Sequence, residues 1–136
     1  PVSYKKVLRC LRVVFIASSK EKLGGVYEKD KICVLQSGFI EGNPTTYIAS
    51  VIIHEAHHVS QYLSGHKYRL PYSEISALKE QIKFLEKVGD KRSIEWLKGE
   101  KDRGWWKDVV GNKKAKSRLD MRLNQAKKIL SGKSGQ

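Results

Sequence analysis

Three residues in one stretch have the types and spacing to do chemistry together: His54, Glu55 and His58, within Thr45 to Leu63 (TTYIASVIIHEAHHVSQYL). On a helix with 3.6 residues per turn, imidazoles four positions apart stand about 40° from each other, so both ring nitrogens can reach one metal ion. Glu55 lies one step round the same face. There its carboxylate can take a proton from water activated by the ion without being a ligand itself. An H-E-x-x-H of this kind points to zinc, one catalytic ion per chain, and to hydrolysis. His57 flanks His54 on the side away from Glu55, and a supporting or surface contact is expected of it instead of metal binding.

The rest of the stretch must hold these groups in place, and it reads as a helix. Taken from His54, the residues Ile48, Ala49, Ile52, Ile53, Ala56, Val59 and Leu63 collect on the opposite side as an apolar stripe for the core. The ligands are therefore expected to face a cleft. Asn43 and Pro44 supply a helix start, Asn43 as cap and Pro44 at the first helical position, and Gly65 supplies a stop.

Upstream, Val2 to Arg12 has helical spacing and Val13 to Ala17 turns β-branched and strand-like. A turn with a Gly-Gly pair at Lys20 to Gly25 leads to strands at Val26 to Glu28 and Lys31 to Gln36, joined by the polar hairpin Glu28-Lys29-Asp30-Lys31. Downstream, a helix is expected from Tyr72 to about Val88, with Ile75, Leu78, Ile82 and Leu85 on one face. A shorter amphipathic piece follows at Arg92 to Lys98, interrupted by Gly99 and Gly104. The last helix runs from Lys113 to Leu130, with Leu119, Leu123, Ala126 and Leu130 at core spacing.

Catalytic zinc needs three protein ligands and one open position. A metzincin arrangement would place Gly at 61 and His at 64, and the chain has Gln61 and Ser64 there. His66 and Glu74 remain as downstream candidates. Glu74 is the better one, because a carboxylate in the first turn of the following helix suits the helix dipole.

With H-E-x-x-H at His54 to His58 and E-x-x-A at Glu74-Ile75-Ser76-Ala77, the chain resembles the gluzincin metallopeptidases over roughly residues 12 to 88. The short spacing between the motifs is similar to that of the minimal-scaffold forms, the minigluzincins. The resemblance implies an α+β, zincin-like small domain: a short, mostly antiparallel sheet, then an active-site helix, a glutamate helix and C-terminal helices. It implies zinc ligands His54, His58 and Glu74, with Glu55 as general base and acid. Ala77 would let the glutamate helix pack closely, and His66, Tyr68 and Tyr72 are candidates for stabilising the transition state. The strand at Lys31 to Gln36 would pair with an extended peptide or protein substrate. The activity implied is zinc-dependent peptide-bond hydrolysis, in an endopeptidase.

Length and composition bound these expectations. The chain has 136 residues, enough for one domain with a real core. Its two cysteines, Cys10 and Cys33, are too few for a disulfide scaffold and read as reduced core thiols. No apolar run is long enough to span a membrane and none resembles a signal-peptide core, so the chain reads as soluble, with a lean to the cytoplasm. The net charge of +13 is concentrated towards the C-terminus: residues 91–136 hold 14 Lys and Arg against 5 Asp and Glu. This basic helical extension, about 91–136, carries Trp96, Trp105 and Trp106. It supports an alternative of another class, a module binding nucleic acid, an anionic surface or an acidic partner, with a vestigial or structural zinc site.

Overall fold

The segment Ile32–Gln36 is buried at every position, which a strand achieves only when both its faces and both its edges are covered. The computed structural model supplies the cover. It describes residues 2–18, 25–105 and 113–132, with the side chains of 2–4, 113–120 and 122 outside that description. The elements are α1 (Val2–Cys10), β1 (Val13–Ala17), β2 (Gly25–Tyr27), β3 (Ile32–Gln36), α2 (Ser37–Glu41), α3 (Thr45–Leu63), α4 (Tyr72–Val88), α5 (Lys91–Arg103) and α6 (Lys113–Leu130). They make an α+β domain. Among the described residues no helix is long and apolar enough to cross a membrane.

The sheet has the order β1-β3-β2. β1 runs parallel to β3, with Val13 opposite Ile32 and Ala17 opposite Gln36, and β2 runs antiparallel, with Gly25 opposite Val34 and Tyr27 opposite Ile32. The sheet is thus mixed, and the expectation of a mostly antiparallel one is corrected. After β1 the chain passes beyond the central position to the far edge, and the turn at Glu28–Lys31 folds it back into the gap. In that turn the Asp30 N–H donates to the Tyr27 carbonyl at 3.1 Å, and Lys31 takes a positive φ of 56°. A second correction follows for the strand assigned to substrate pairing. Both edges of β3 are already bonded, and the outer edges of this sheet belong to β1 and β2.

Alternation along β3 divides the core in two. Cys33 and Leu35 point to one face, where they meet Cys10, Leu11, Ala56 and Val59 from the end of α1 and from α3. Ile32 and Val34 point to the other, where Leu123 and Ala126 of α6 cover them. A third apolar cluster, Leu78, Leu85, Ile94 and Leu97, joins α4 to α5, with Tyr47 and Trp105 packed against it. Each fully buried aliphatic side chain contributes about 1.5–3 kcal/mol. Both cysteines are buried and free, as reduced core thiols should be.

Local chemistry sets where the helices begin and end. Asn43 does not cap α3: its Nδ2 donates back to the Phe39 carbonyl at 2.8 Å, closing the short helix α2 that the sequence reading passed over, and α3 starts at Thr45 after Pro44. Gly89, with φ of 74°, ends α4. Asp90 then starts α5, accepting from the Ser93 N–H at 3.1 Å, the Ser93 hydroxyl at 2.7 Å and the Thr46 hydroxyl of α3 at 2.5 Å. That side chain therefore ties α5 to the first turn of the helix carrying the histidines. α5 runs through Gly99, whose cost in a helix is only about 1 kcal/mol, and stops at Gly104.

The apolar stripes are shorter than expected at their ends. Leu63 and Leu130 are exposed, since each lies in the last turn of its helix, beyond the element it packs on. Of the tryptophans, Trp105 packs on the α4–α5 core and Trp96 stands edge-on to Tyr47 at 5.5 Å between centroids. The Gly-Gly turn before Gly25, Trp106 and the side chain of Leu119 lie outside the described residues.

Candidate metal centre

α3 and α4 pack together over most of their lengths, and the site forms where the middle of one meets the first turn of the other. His54 and His58 turn inward from α3, 8% and 6% exposed. After the loop 64–71, α4 brings Glu74 against them. Small side chains permit the approach, and Ala77, one turn further along α4, is completely buried. His54 Nε2 lies 3.0 Å from Glu74 Oε2, His58 Nε2 lies 2.9 Å from the same oxygen, and the two nitrogens are 3.1 Å apart. His54, His58 and Glu74 thus offer three ligand atoms close enough to hold one metal ion. The sides of this triangle resemble the separation of about 3.3 Å between donors around a tetrahedral ion with 2.0–2.1 Å bonds.

The outer nitrogens of both rings decide where the protons sit. His54 Nδ1 is 3.0 Å from Gln81 Oε1, and His58 Nδ1 is 3.2 Å from Gln61 Oε1. An amide oxygen only accepts, so both Nδ1 atoms carry hydrogen, and in its neutral form each ring turns its Nε2 lone pair towards Glu74. Two lone pairs and a carboxylate converging in a buried space require a cation, either a proton or a metal ion. The titration behaviour agrees. Burial pulls the His58 imidazole down, but the hydrogen bond to Glu74 and the charges of Glu55 and Glu74 outweigh it and raise the pKa to about 9. Burial pushes the Glu74 carboxyl up, and the imidazoles of His54 and His58 beside it prevail and hold it well below the usual carboxylate range.

Glu55 is placed differently. It is partly buried beside the cluster and makes no hydrogen bond or ion pair among the described residues. Burial pushes its pKa up; the His54 and His58 charges oppose the rise, and Glu74 and Glu28 add to it. Such a carboxylate binds a proton more readily than one in water. Across from it on β3, burial first and then the Glu55 charge push the Cys33 thiol up, and its sulfur is not among the three donor atoms that converge.

Of the three candidates for transition-state stabilisation, the structure brings one to the cluster. Tyr68 donates its hydroxyl to Glu74 Oε1 at 3.1 Å and stands edge-on to His58, 5.7 Å between centroids. Burial and the neighbouring Glu74 push its phenol up, so it remains a donor. Tyr72 is 68% exposed with the Arg69 guanidinium over its ring, and His66 is exposed in the loop. Among the described residues neither reaches the cluster.

His57 stays out of the donor set, as its position on the helix suggested. Its Nδ1 lies 3.2 Å from Lys6 Nζ and its Nε2 lies 2.9 Å from Ser76 Oγ. An ammonium only donates, so Nδ1 accepts and Nε2–H donates to the serine. Burial, reinforced by the Lys6 charge, lowers its pKa to about 4. It ties α1 and α4 to α3.

Sequence reasoning missed Gln81, Gln61 and Ser50. Their spacing held a signal: Ser50, His54 and His58 recur at intervals of four, and Gln81 lies seven positions after Glu74, on the same line of α4. Compared with protein-family models, with curated proteins and with solved structures, the chain matches none.

Proposed function

We propose that this chain is a zinc-dependent peptidase, an endopeptidase of minimal gluzincin-like build, with His54, His58 and Glu74 holding the ion. The observation that carries the reading is a convergent three-donor cluster with a proton-accepting carboxylate beside it that bonds to none of its members. Nitrogen and carboxylate donors with no thiolate suit zinc in a hydrolytic site. When bound, zinc supplies Lewis-acid polarisation of a carbonyl and lowers the pKa of water.

The chain's own groups do the rest. The Glu55 carboxylate takes the proton from the attacking water and holds it, helped by burial that favours its neutral form, then returns it to the departing amine nitrogen. Glu74 Oε1, bonded to Tyr68, keeps the other carboxylate oxygen directed at the histidines. Tyr68, an O–H donor at the edge of the cluster, is the candidate to stabilise charge on the carbonyl oxygen. The substrate in this reading is an extended peptide or protein segment.

The test compares the zinc-loaded chain with its Glu55→Gln variant on a mixture of unstructured peptides. Cleavage by the parent and a loss of about 10²- to 10⁴-fold in the variant, with zinc content and melting temperature unchanged, is the expected outcome. Equal cleavage by both would contradict the reading.

A further inference from the structure

His54 has a choice that the geometry of the metal centre alone does not make for it. Its Nε2 lies 3.0 Å from Glu74 Oε2, a distance at which a neutral ring gains by donating a proton to the carboxylate. A ring that does so has no lone pair for a metal ion, and its Nδ1 becomes the acceptor. Some other group must make that tautomer costly.

We infer that Gln81 is the positioning residue that fixes His54 in its metal-binding tautomer, through a buried amide relay anchored on the backbone of α3. The inference rests on the metal-binding reading above. The relay begins at the Tyr47 carbonyl, an obligate acceptor, to which the Ser50 hydroxyl donates at 2.6 Å. With its one hydrogen committed, Ser50 Oγ can only accept, and Gln81 Nε2 donates to it at 3.0 Å. The amide is thereby held in one of its two orientations, and Oε1 is the end that faces His54. At 3.0 Å from Nδ1, that oxygen requires a hydrogen on Nδ1. The Nε2 lone pair is left facing His58 and Glu74.

Burial makes each link matter. Ser50 is wholly buried and Gln81 is 2% exposed, so no water stands ready to replace a lost partner. A buried donor left unsatisfied loses its hydration with nothing in return, and that penalty opposes a flipped amide or the wrong tautomer. The placement is economical: Glu74 and Gln81 stand seven residues apart on one line of α4, about 10.5 Å along its axis, with Ala77 between them. One helix supplies both a ligand and the group that orients another ligand. Among the described residues His58 has no equal device. Its partner Gln61 lies three residues on along the same helix and is only half-buried.

The experiment is metal titration of chelator-treated protein by competition with a zinc indicator, combined with ¹⁵N NMR of the histidine rings in the metal-free protein. Gln81→Leu, which fills the space and accepts no hydrogen bond, is expected to weaken zinc binding by about 10- to 100-fold. Its His54 is expected to shift from Nδ1–H towards Nε2–H. Gln81→Glu, which keeps an acceptor at the same atom, restores Nδ1–H and binds at least as tightly as the parent. Equal affinity of parent and Gln81→Leu, or a parent His54 whose Nδ1 lacks hydrogen, overturns the inference. A parent that binds no zinc contradicts the peptidase reading instead, and the ring tautomer still decides the role of Gln81. Should Gln81→Leu fail to fold, the parent spectrum and Ser50→Ala decide: Ser50→Ala frees the amide to flip and lowers the Nδ1–H population of His54, and an unchanged spectrum overturns the relay.

Discussion

His57 and His58 are neighbours on one helix, and their surroundings drive the two imidazoles in opposite directions. His58 meets a carboxylate and is raised to about 9; His57 meets an ammonium in a half-buried position and is lowered to about 4. Burial lowers both, so the partner's charge sign makes the difference. The comparison teaches that neighbouring imidazoles on one helix are set by the sign of the charge that meets each ring: Glu74 of α4 together with Glu55 for His58, and Lys6 of α1 for His57. His57 faces Ser76 and the charge of Glu80 from the same helix α4, but burial and Lys6, which closes its other nitrogen, outweigh that carboxylate.

The largest effect that can break the comparison is on metal binding. Glu74→Ala and His58→Ala should each weaken zinc by more than the about 10- to 100-fold that loss of a supporting hydrogen bond costs. His57→Ala should leave the affinity within a few-fold of the parent. Competition against a zinc indicator measures all three, and a His57 variant as weak as the His58 one would show that the two rings are not distinct.

Next in size is the pH dependence. Because His58 is raised to about 9 in the metal-free protein, it is charged at neutral pH and the ion must displace its proton. Affinity should therefore fall about tenfold for each pH unit below 9, with close to one proton released per ion at neutral pH, read by titration in buffers of differing ionisation heat. Metal-free stability follows from the same groups with the sign worked out. The raised His58 stabilises fully below its ordinary value of 6.5 and loses that contribution as pH rises through about 9. The lowered Glu74 stabilises above its ordinary value of 4.5 and loses that contribution as pH falls. The cluster's contribution is thus greatest between 4.5 and 6.5, and thermal melts in chelator across this range should show it.

How much of this was legible beforehand depends on what distance each feature spans. His54, Glu55 and His58 share one helix, and Glu74 opens the next, so a 3.6-residue period and one spacing were enough to place them. The boundaries of α4 and α6 followed from apolar periodicity and from Gly89. The strand order was not legible, because nothing in Val13–Ala17 or Gly25–Tyr27 says which edge of β3 each will take. Gln81 and Ser50 escaped because a polar residue on a helix reads as solvent-facing until the packing partner is known. Asn43 was misread for the opposite reason: its local signal was strong, and a competing carbonyl at Phe39 took its side chain.

Smaller effects sharpen the contrast. Tyr68→Phe removes one hydrogen bond to Glu74 at a half-exposed position, worth about 1 kcal/mol, and should weaken zinc by about fivefold or less. Its effect on peptide cleavage should be larger than that if the hydroxyl touches the transition state, so the two measurements on one variant separate positioning from stabilisation. Lys6→Ala removes the cation beside His57, and the ring should titrate above 4 while burial still holds it below 6.5. NMR titration of the His57 ring reads this directly, and the change in His58 should be negligible.

The central claim, that two imidazoles and one carboxylate hold a single ion, is tested most directly by zinc-edge X-ray absorption on protein loaded with one equivalent. The expected spectrum has four light-atom ligands at about 2.0–2.1 Å, with the multiple-scattering signature of two imidazoles. A sulfur shell at about 2.3 Å, which would enlist Cys10 or Cys33, or a spectrum without imidazole, would contradict it.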